Sequence, residues 1–207
     1  MRNLEIFESP GLIVYPDRVK RNIAKVIEMV DGNPARLRPH IKTHKTKEGN
    51  DLLLAAGITK FKCATIAEAE LLALSEAPDV LISMQLIGPN LDRFKELVTH
   101  YPKTKFSSIV DDAFASSELN RIFTDLSAGV FVDLNMGMNR TGILPAKALA
   151  LIQHIETLPN VTLRGLHAYD GHIRDKVFED RAKHVETDFT SFYELLERLN
   201  RSDLELV

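Results

Sequence analysis

The chain has 207 residues, 44% of them hydrophobic and 27% charged, with a net charge of -3, the balance of a globular chain with its own core. That charge leaves no basic field to hold nucleic acid or an anionic membrane surface. Cys63 is the only cysteine, which excludes an internal disulfide framework and a multi-cysteine metal site within this sequence. The first ten residues lack the apolar core of a signal peptide, and no run approaches the roughly 20 apolar residues of a membrane helix. A soluble, cytoplasmic protein of a reducing compartment is expected.

Short apolar, β-branched runs alternate with longer amphipathic stretches along the whole chain. Residues 11–15 read as a strand, followed by a helical pattern on Arg18, Ile23, Val26, Ile27 and Val30. Asp31, Gly32, Asn33 and Pro34 break that pattern. Residues 37–42 read as a strand and 50–56 as a helix stopped by Gly57. The pairs continue with strand 60–64 and helix 66–75, strand 80–84 and helix 91–100, strand 105–110 and helix 112–124. Strand 130–135 and helix 145–157 follow, then strand 161–169, a long helical stretch over 177–200, and a strand beginning at 204–207.

Strict alternation at this spacing predicts a parallel sheet with helical crossovers, either an open doubly wound sheet or a (β/α)8 barrel. Side-chain parity favours the barrel. Arg38, His40 and Lys42 fall on one face of strand 37–42, and Phe131, Asp133 and Asn135 on one face of strand 130–135. Central strands of an open sheet, covered on both sides, read instead as continuous apolar runs. A full barrel needs about 250 residues, so the expected architecture is one barrel domain over residues 1–207, incomplete at its C-terminal end.

Arg38-Pro39-His40-Ile41-Lys42-Thr43-His44-Lys45 ends a predicted strand, where barrel enzymes place catalytic groups. A lysine projecting into a partly desolvated barrel mouth has its pKa lowered, which makes its amine a nucleophile toward an aldehyde. Parity with Arg38 and His40 selects Lys42 over Lys45, which falls beyond the strand. The competing readings are a basic surface loop and a metal pair of His40 and His44, the latter opposed by Pro39, since i, i+4 residues meet only on a helix.

Gly137 and Gly142 frame a tight loop after strand 130–135, in which Arg140 supplies either a fixed cation or an ordinary exposed arginine. Gly165-Leu166-His167-Ala168-Tyr169-Asp170-Gly171-His172 ends a further strand. His167 and Tyr169 share a parity and point inward if Leu163 does; for His167 a hydrogen-bonded core role competes. Cys63 and Thr65 are expected to line the barrel after an inward Phe61, as packing. Asp111 and Asp112 are expected to start a helix, and Glu68 and Glu70 to be solvated or to cap one.

The run RPHIKTHK, followed in order by MGMNRTG and GLHAYDGH, resembles the D-threonine aldolase and D-serine dehydratase family, pyridoxal-phosphate enzymes with the alanine-racemase type of barrel. GLIVYPDRVKRNI and FKCATIAEAELL extend the likeness through most of the chain. The resemblance implies a lyase acting on D-3-hydroxy amino acids, by retro-aldol cleavage or elimination, with the Schiff base on Lys42. It implies cofactor contacts from His40, Arg140 (near the phenolic oxygen), His167 and Tyr169, with Tyr169 against the ring. The alternatives are an amino-acid racemase and a non-catalytic pyridoxal-phosphate-binding barrel. The family's phosphate-binding loops are expected downstream of residue 204. Its divalent metal (manganese or zinc) is held by a second, β-rich domain, so no metal ligand is expected here. The family resemblance also implies a homodimer.

Overall fold

The computed structural model describes Ile6, residues 8–11 and residues 13–207. Among them a single parallel sheet runs in chain order: β1 (Lys60–Cys63), β2 (Asp79–Gln85), β3 (Lys105–Val110), β4 (Ala128–Leu134), β5 (Val161–Ala168) and β6 (Glu205–Leu206). Helices α1 (Pro16–Met29) and α2 (Lys47–Ala55) precede it. The crossovers are α3 (Ile66–Leu74), α4 (Pro89–His100), α5 (Ala113–Ile122) and α6 (Pro145–Glu156), with α7 (Phe178–Asp188) and α8 (Thr190–Leu199) between β5 and β6.

Helix starts follow local chemistry. Pro16, Pro89 and Pro145 open α1, α4 and α6, where a missing N–H costs nothing. Side-chain oxygens of Thr46, Thr65 and Asp112 accept backbone N–H groups at the starts of α2, α3 and α5.

The sheet is curled. Five strand spacings would hold β1 and β6 about 24 Å apart in a flat sheet, yet Lys60 Nζ on β1 donates to Glu205 Oε1 on β6 at 2.7 Å. The parallel half-barrel with outer helices matches the expected incomplete barrel. The main core lies outside the curl, between sheet and helices, where Phe61, Val80, Ile82, Val130, Val132 and Leu166 are buried. Inside the curl, Leu81, Ile109 and Phe131 form a smaller apolar layer against Val207.

Several local expectations are corrected. Gly11, Ile13, Val14 and Tyr15 form no strand, and Leu12 lies outside the described residues. The backbone of stretch 37–42 pairs with the sheet only through a bridge from His40 to Lys62 and then turns into a single 3₁₀ turn, Ile41–Thr43. The 177–200 stretch is two helices that break at Phe189. Cys63 and Phe61 face the outer core, not the interior. Burial pushes the Cys63 thiol up, leaving it an inert packing group. Thr65 caps α3.

Candidate active site at the C-terminal mouth of the curled sheet

The interior is layered along the strands. Nearest their N-terminal ends, Asp79 binds Arg38 at 2.6 Å and Arg164 at 2.5 Å, while Glu205 takes Arg38 at 2.8 Å and Lys60 at 2.7 Å. The Phe131 ring sits above, with the guanidinium carbons of Arg38 and Arg164 at 5.8 and 5.3 Å from its centroid. Beyond the Leu81, Ile109 and Phe131 layer the curl opens into a cavity of about 350 Å³, within the range of small-ligand sites. It sits at the carboxyl ends of the strands, as active sites of barrels do.

His40, Lys42, Arg140, His167 and Tyr169 all line this cavity. Lys42 stands exposed at the rim, carried there by the 3₁₀ turn. His40 builds that turn: its Nδ1 accepts the Lys42 backbone N–H at 3.2 Å. Its Nε2 lies 3.3 Å from Ser83 Oγ, whose own proton goes to the Cys63 carbonyl at 3.0 Å. This pattern requires neutral imidazole with the proton on Nε2. Burial, with Lys42 and Lys62 nearby, lowers the His40 pKa to about 4, consistent with that form. Lys45 instead points away from the cavity, toward Glu68 at 3.3 Å, and Glu68 is buried and accepts the Ala64 N–H at 2.8 Å. His44 accepts the Thr46 N–H at 3.2 Å and does not converge with His40.

At the far wall His167 is 5% exposed and bridges two charged groups. Its Nδ1 lies 2.6 Å from Asp133 Oδ1 and its Nε2 2.9 Å from Lys62 Nζ. With Lys62 as an ammonium donor, Nε2 accepts and Nδ1–H donates to Asp133. His167 is thus a buried, hydrogen-bonded histidine that also lines the cavity. Its inward direction does not follow from Leu163, which packs against the outer core. The β4–β5 register slips by one residue there, pairing Val130 with Leu163 and Phe131 with Gly165, so Arg164 bulges inward and reverses the parity.

Lys62 is the desolvated lysine of the cavity. Burial, reinforced by Arg38, lowers its pKa to about 8. Reading the sequence missed it, because Phe61 and Cys63 were given the inner face that Lys60 and Lys62 occupy. The signal was present: Lys-Phe-Lys-Cys alternates charged with apolar side chains.

Tyr169 is 40% exposed, with the Lys62 ammonium 5.9 Å and the Arg140 guanidinium carbon 5.7 Å from its ring centroid. Arg140 rides on a loop locked from several sides. Asn135 Oδ1 accepts the N–H groups of Gly137 and Asn139, each at 3.1 Å. Thr141 donates to Asp133 at 2.9 Å, and the Gly142 N–H donates to Asp111 at 2.9 Å. Asp112 alone caps α5; Asp111 instead ties this loop to Gln85 at 2.9 Å, and burial raises its pKa. His172 does not line the cavity. It turns outward to Asp188 at 2.6 Å.

The comparisons agree with this architecture. Over 181 residues the chain is 29% identical to a D-threonine aldolase of an Arthrobacter species, covering 85% of this chain and 47% of that protein. Over 207 residues it is 29% identical to a 3-hydroxy-D-aspartate aldolase of Paracoccus denitrificans, covering 95% of this chain and 52% of that protein. The chain thus spans about half the length of the curated relatives it matches. The crystal structure of a D-threonine aldolase from Filomicrobium marinum superposes with a TM-score of 0.82 at 24% identity, over 94% of this chain and 54% of that one; at that identity the likeness speaks for the fold. With residues 14–207 matching its sequence profile and the curled parallel sheet in place, the chain belongs to the alanine racemase N-terminal domain family.

Proposed function

We propose that this chain forms the cofactor-holding part of a pyridoxal-phosphate-dependent lyase that acts on D-3-hydroxy amino acids. The observation that carries this reading is the convergence of Lys42, Arg140 and Tyr169, from three separate loops, on one cavity at the carboxyl ends of the strands. The donor set fits the cofactor: a primary amine for its aldehyde, a guanidinium for its phenolic oxygen and an aromatic face for its ring. When bound, pyridoxal phosphate supplies an electron sink, which leaves the choice of bond to the protein.

Lys42 would supply the amine that holds the cofactor's aldehyde. His40 positions Lys42 by accepting its backbone N–H. Arg140 would hold the cofactor's phenolic oxygen, and the Tyr169 phenol would pack on its ring and could move a proton there. His167, held by Asp133 and Lys62, would stand behind the cofactor at the far wall of the cavity. Retro-aldol cleavage and elimination are both within this class; the relatives include D-threonine and 3-hydroxy-D-aspartate aldolases. The family's divalent metal and homodimeric assembly belong to this reading through its second domain. Among the described residues no helix is long and apolar enough to cross a membrane.

The test is covalent trapping. Incubation with pyridoxal phosphate, borohydride reduction and peptide mapping should place the label on Lys42, and Lys42→Ala should abolish it while Lys45→Ala keeps it. Label on Lys45 or Lys62, or no label on the chain, overturns the assignment. Products then define the reaction: glycine and acetaldehyde from D-threonine mark an aldolase, pyruvate and ammonia from D-serine a dehydratase.

A further inference from the structure

Outside the cavity, on the far side of the Arg140 loop, two histidines and a carboxylate from separate parts of the chain converge. His172 follows β5, and His184 and Asp188 stand four residues apart on α7, hence on one helix face. One ligand atom from each lies within 4.8 Å of the others. Asp188 Oδ2 is 2.6 Å from His172 Nε2 and 3.5 Å from His184 Nε2. We propose that His172, His184 and Asp188 form a divalent transition-metal site of the zinc class, which pins α7 to the loops at the cavity mouth.

Three observations carry this. First, the spacing suits the ion. Ligands about 2.0–2.1 Å from a tetrahedral zinc stand about 3.3 Å apart. The His184–Asp188 separation of 3.5 Å already meets that, and the His172–Asp188 pair opens by about 0.7 Å to admit the metal.

Second, an outer shell is in place. His184 Nδ1 lies 2.8 Å from Asp175 Oδ2, which fixes the tautomer and leaves Nε2 facing Asp188, as in the carboxylate–histidine–metal arrangement. His172 Nδ1 is buried with no partner. One nitrogen of that ring is thus free of any competing protein hydrogen bond. Gly137, at φ +112, leaves the cluster room: a Cβ there would stand 2.6 Å from His172 Nε2 and 3.0 Å from Asp188 Oδ2.

Third, α7 needs a tether. None of its residues is buried, so apolar packing does little to hold it. Two histidines and one carboxylate leave a fourth position for water. The side chains are partly exposed, from 20% at His172 to 42% at His184, so an ion can enter from solvent. This site is independent of the proposed cofactor chemistry and of the metal expected on the family's second domain.

The experiment strips the 207-residue chain with a chelator, reloads it with Zn²⁺, removes unbound ion by gel filtration and counts zinc by mass spectrometry. About one equivalent is expected. His184→Ala and Asp188→Ala should each lose it, whereas His100→Ala and His154→Ala, elsewhere on the surface, should retain it. Asp175→Asn should keep the site but weaken zinc by about 10- to 100-fold. Co²⁺ titration of the unmodified chain should give the strong visible bands of a four- or five-coordinate ion, and hydrogen exchange over 178–188 should slow on zinc addition. No retained zinc and no visible cobalt bands in the unmodified chain overturns the proposal, whether or not the variants fold. Equal zinc in parent, His184→Ala and Asp188→Ala overturns it as well. Trapping at Lys42 does not enter this readout, so either proposal can fail alone.

Discussion

Lys42 and Lys62 face the same cavity but differ in how much water they keep. Lys42 is exposed at the rim, while Lys62 lies under Tyr169 and against His167. Burial lowers the Lys62 amine from 10.5 to about 8. Between those values the unfolded chain binds a proton that the folded chain lacks, so stability rises with pH across that window. Below it the folded state carries a costly, half-dry charge. Lys62→Met removes this dependence. Relative to the variant, the parent should gain on the order of 1–3 kcal/mol between about pH 7 and pH 10. Urea denaturation of both proteins at the two pH values checks this, and a difference that does not change with pH contradicts it.

At the level of elements, the 135–142 loop is the piece whose geometry the site depends on most. Asn135, Asp133 and Asp111 each hold one part of it, and Gly142 closes it at φ +97. A Cβ at Gly142 would stand 2.6 Å from the Asn135 nitrogen and 2.7 Å from the Leu134 carbonyl carbon. Both are backbone atoms of the strand end and cannot rotate aside. Gly142→Ala should therefore cost about 1–3 kcal/mol in stability and shift Arg140 away from the cavity. Thermal unfolding measures the first effect and pyridoxal-phosphate affinity the second. Parental values for both would show that the loop is not held as described.

For the molecule as a whole, the ionic layer at the narrow end of the curl joins residues far apart in sequence. Arg38 and Arg164 are 6% and 7% exposed and share Asp79. Removing that carboxylate leaves two buried guanidinium groups with Glu205 alone to balance them, so Asp79→Ala should destabilise by about 3–5 kcal/mol, read by chemical denaturation. A loss below about 1 kcal/mol would mean that the layer is hydrated. Glu205 ties β6 to β1. Burial pushes its carboxyl up, but the hydrogen bonds from Lys60 and Arg38 prevail and hold it below the usual range. Its contribution is thus present above the ordinary carboxylate range and is lost as acid protonates it in the folded chain. Protection of the Val207 amide, whose N–H donates to Leu166, should fall first on acidification, measured relative to its intrinsic exchange rate at each pH.

The amino-acid sequence by itself determined the alternation of strands and helices, because hydrophobic period and capping residues are local signals. Lys105–Val110 has the bounds the pattern predicts, and Thr65 and Asp112 cap helices where hydroxyl and carboxylate oxygens precede apolar runs. It also determined the motif order that marks the family. Only the tertiary structure decided which face of each strand is the inside. Parity is relative, so one wrong anchor at Phe61 inverted β1 and concealed Lys62, and the bulge at Arg164 reversed β5. The 37–42 stretch is extended by local preference, but its pairing depends on a neighbour distant in the chain, and its backbone pairs with the sheet only at His40. Lys42 reaches the cavity because a turn capped by His40 carries it there, with the layers beneath it assembled from residues that only the curl of the sheet brings together.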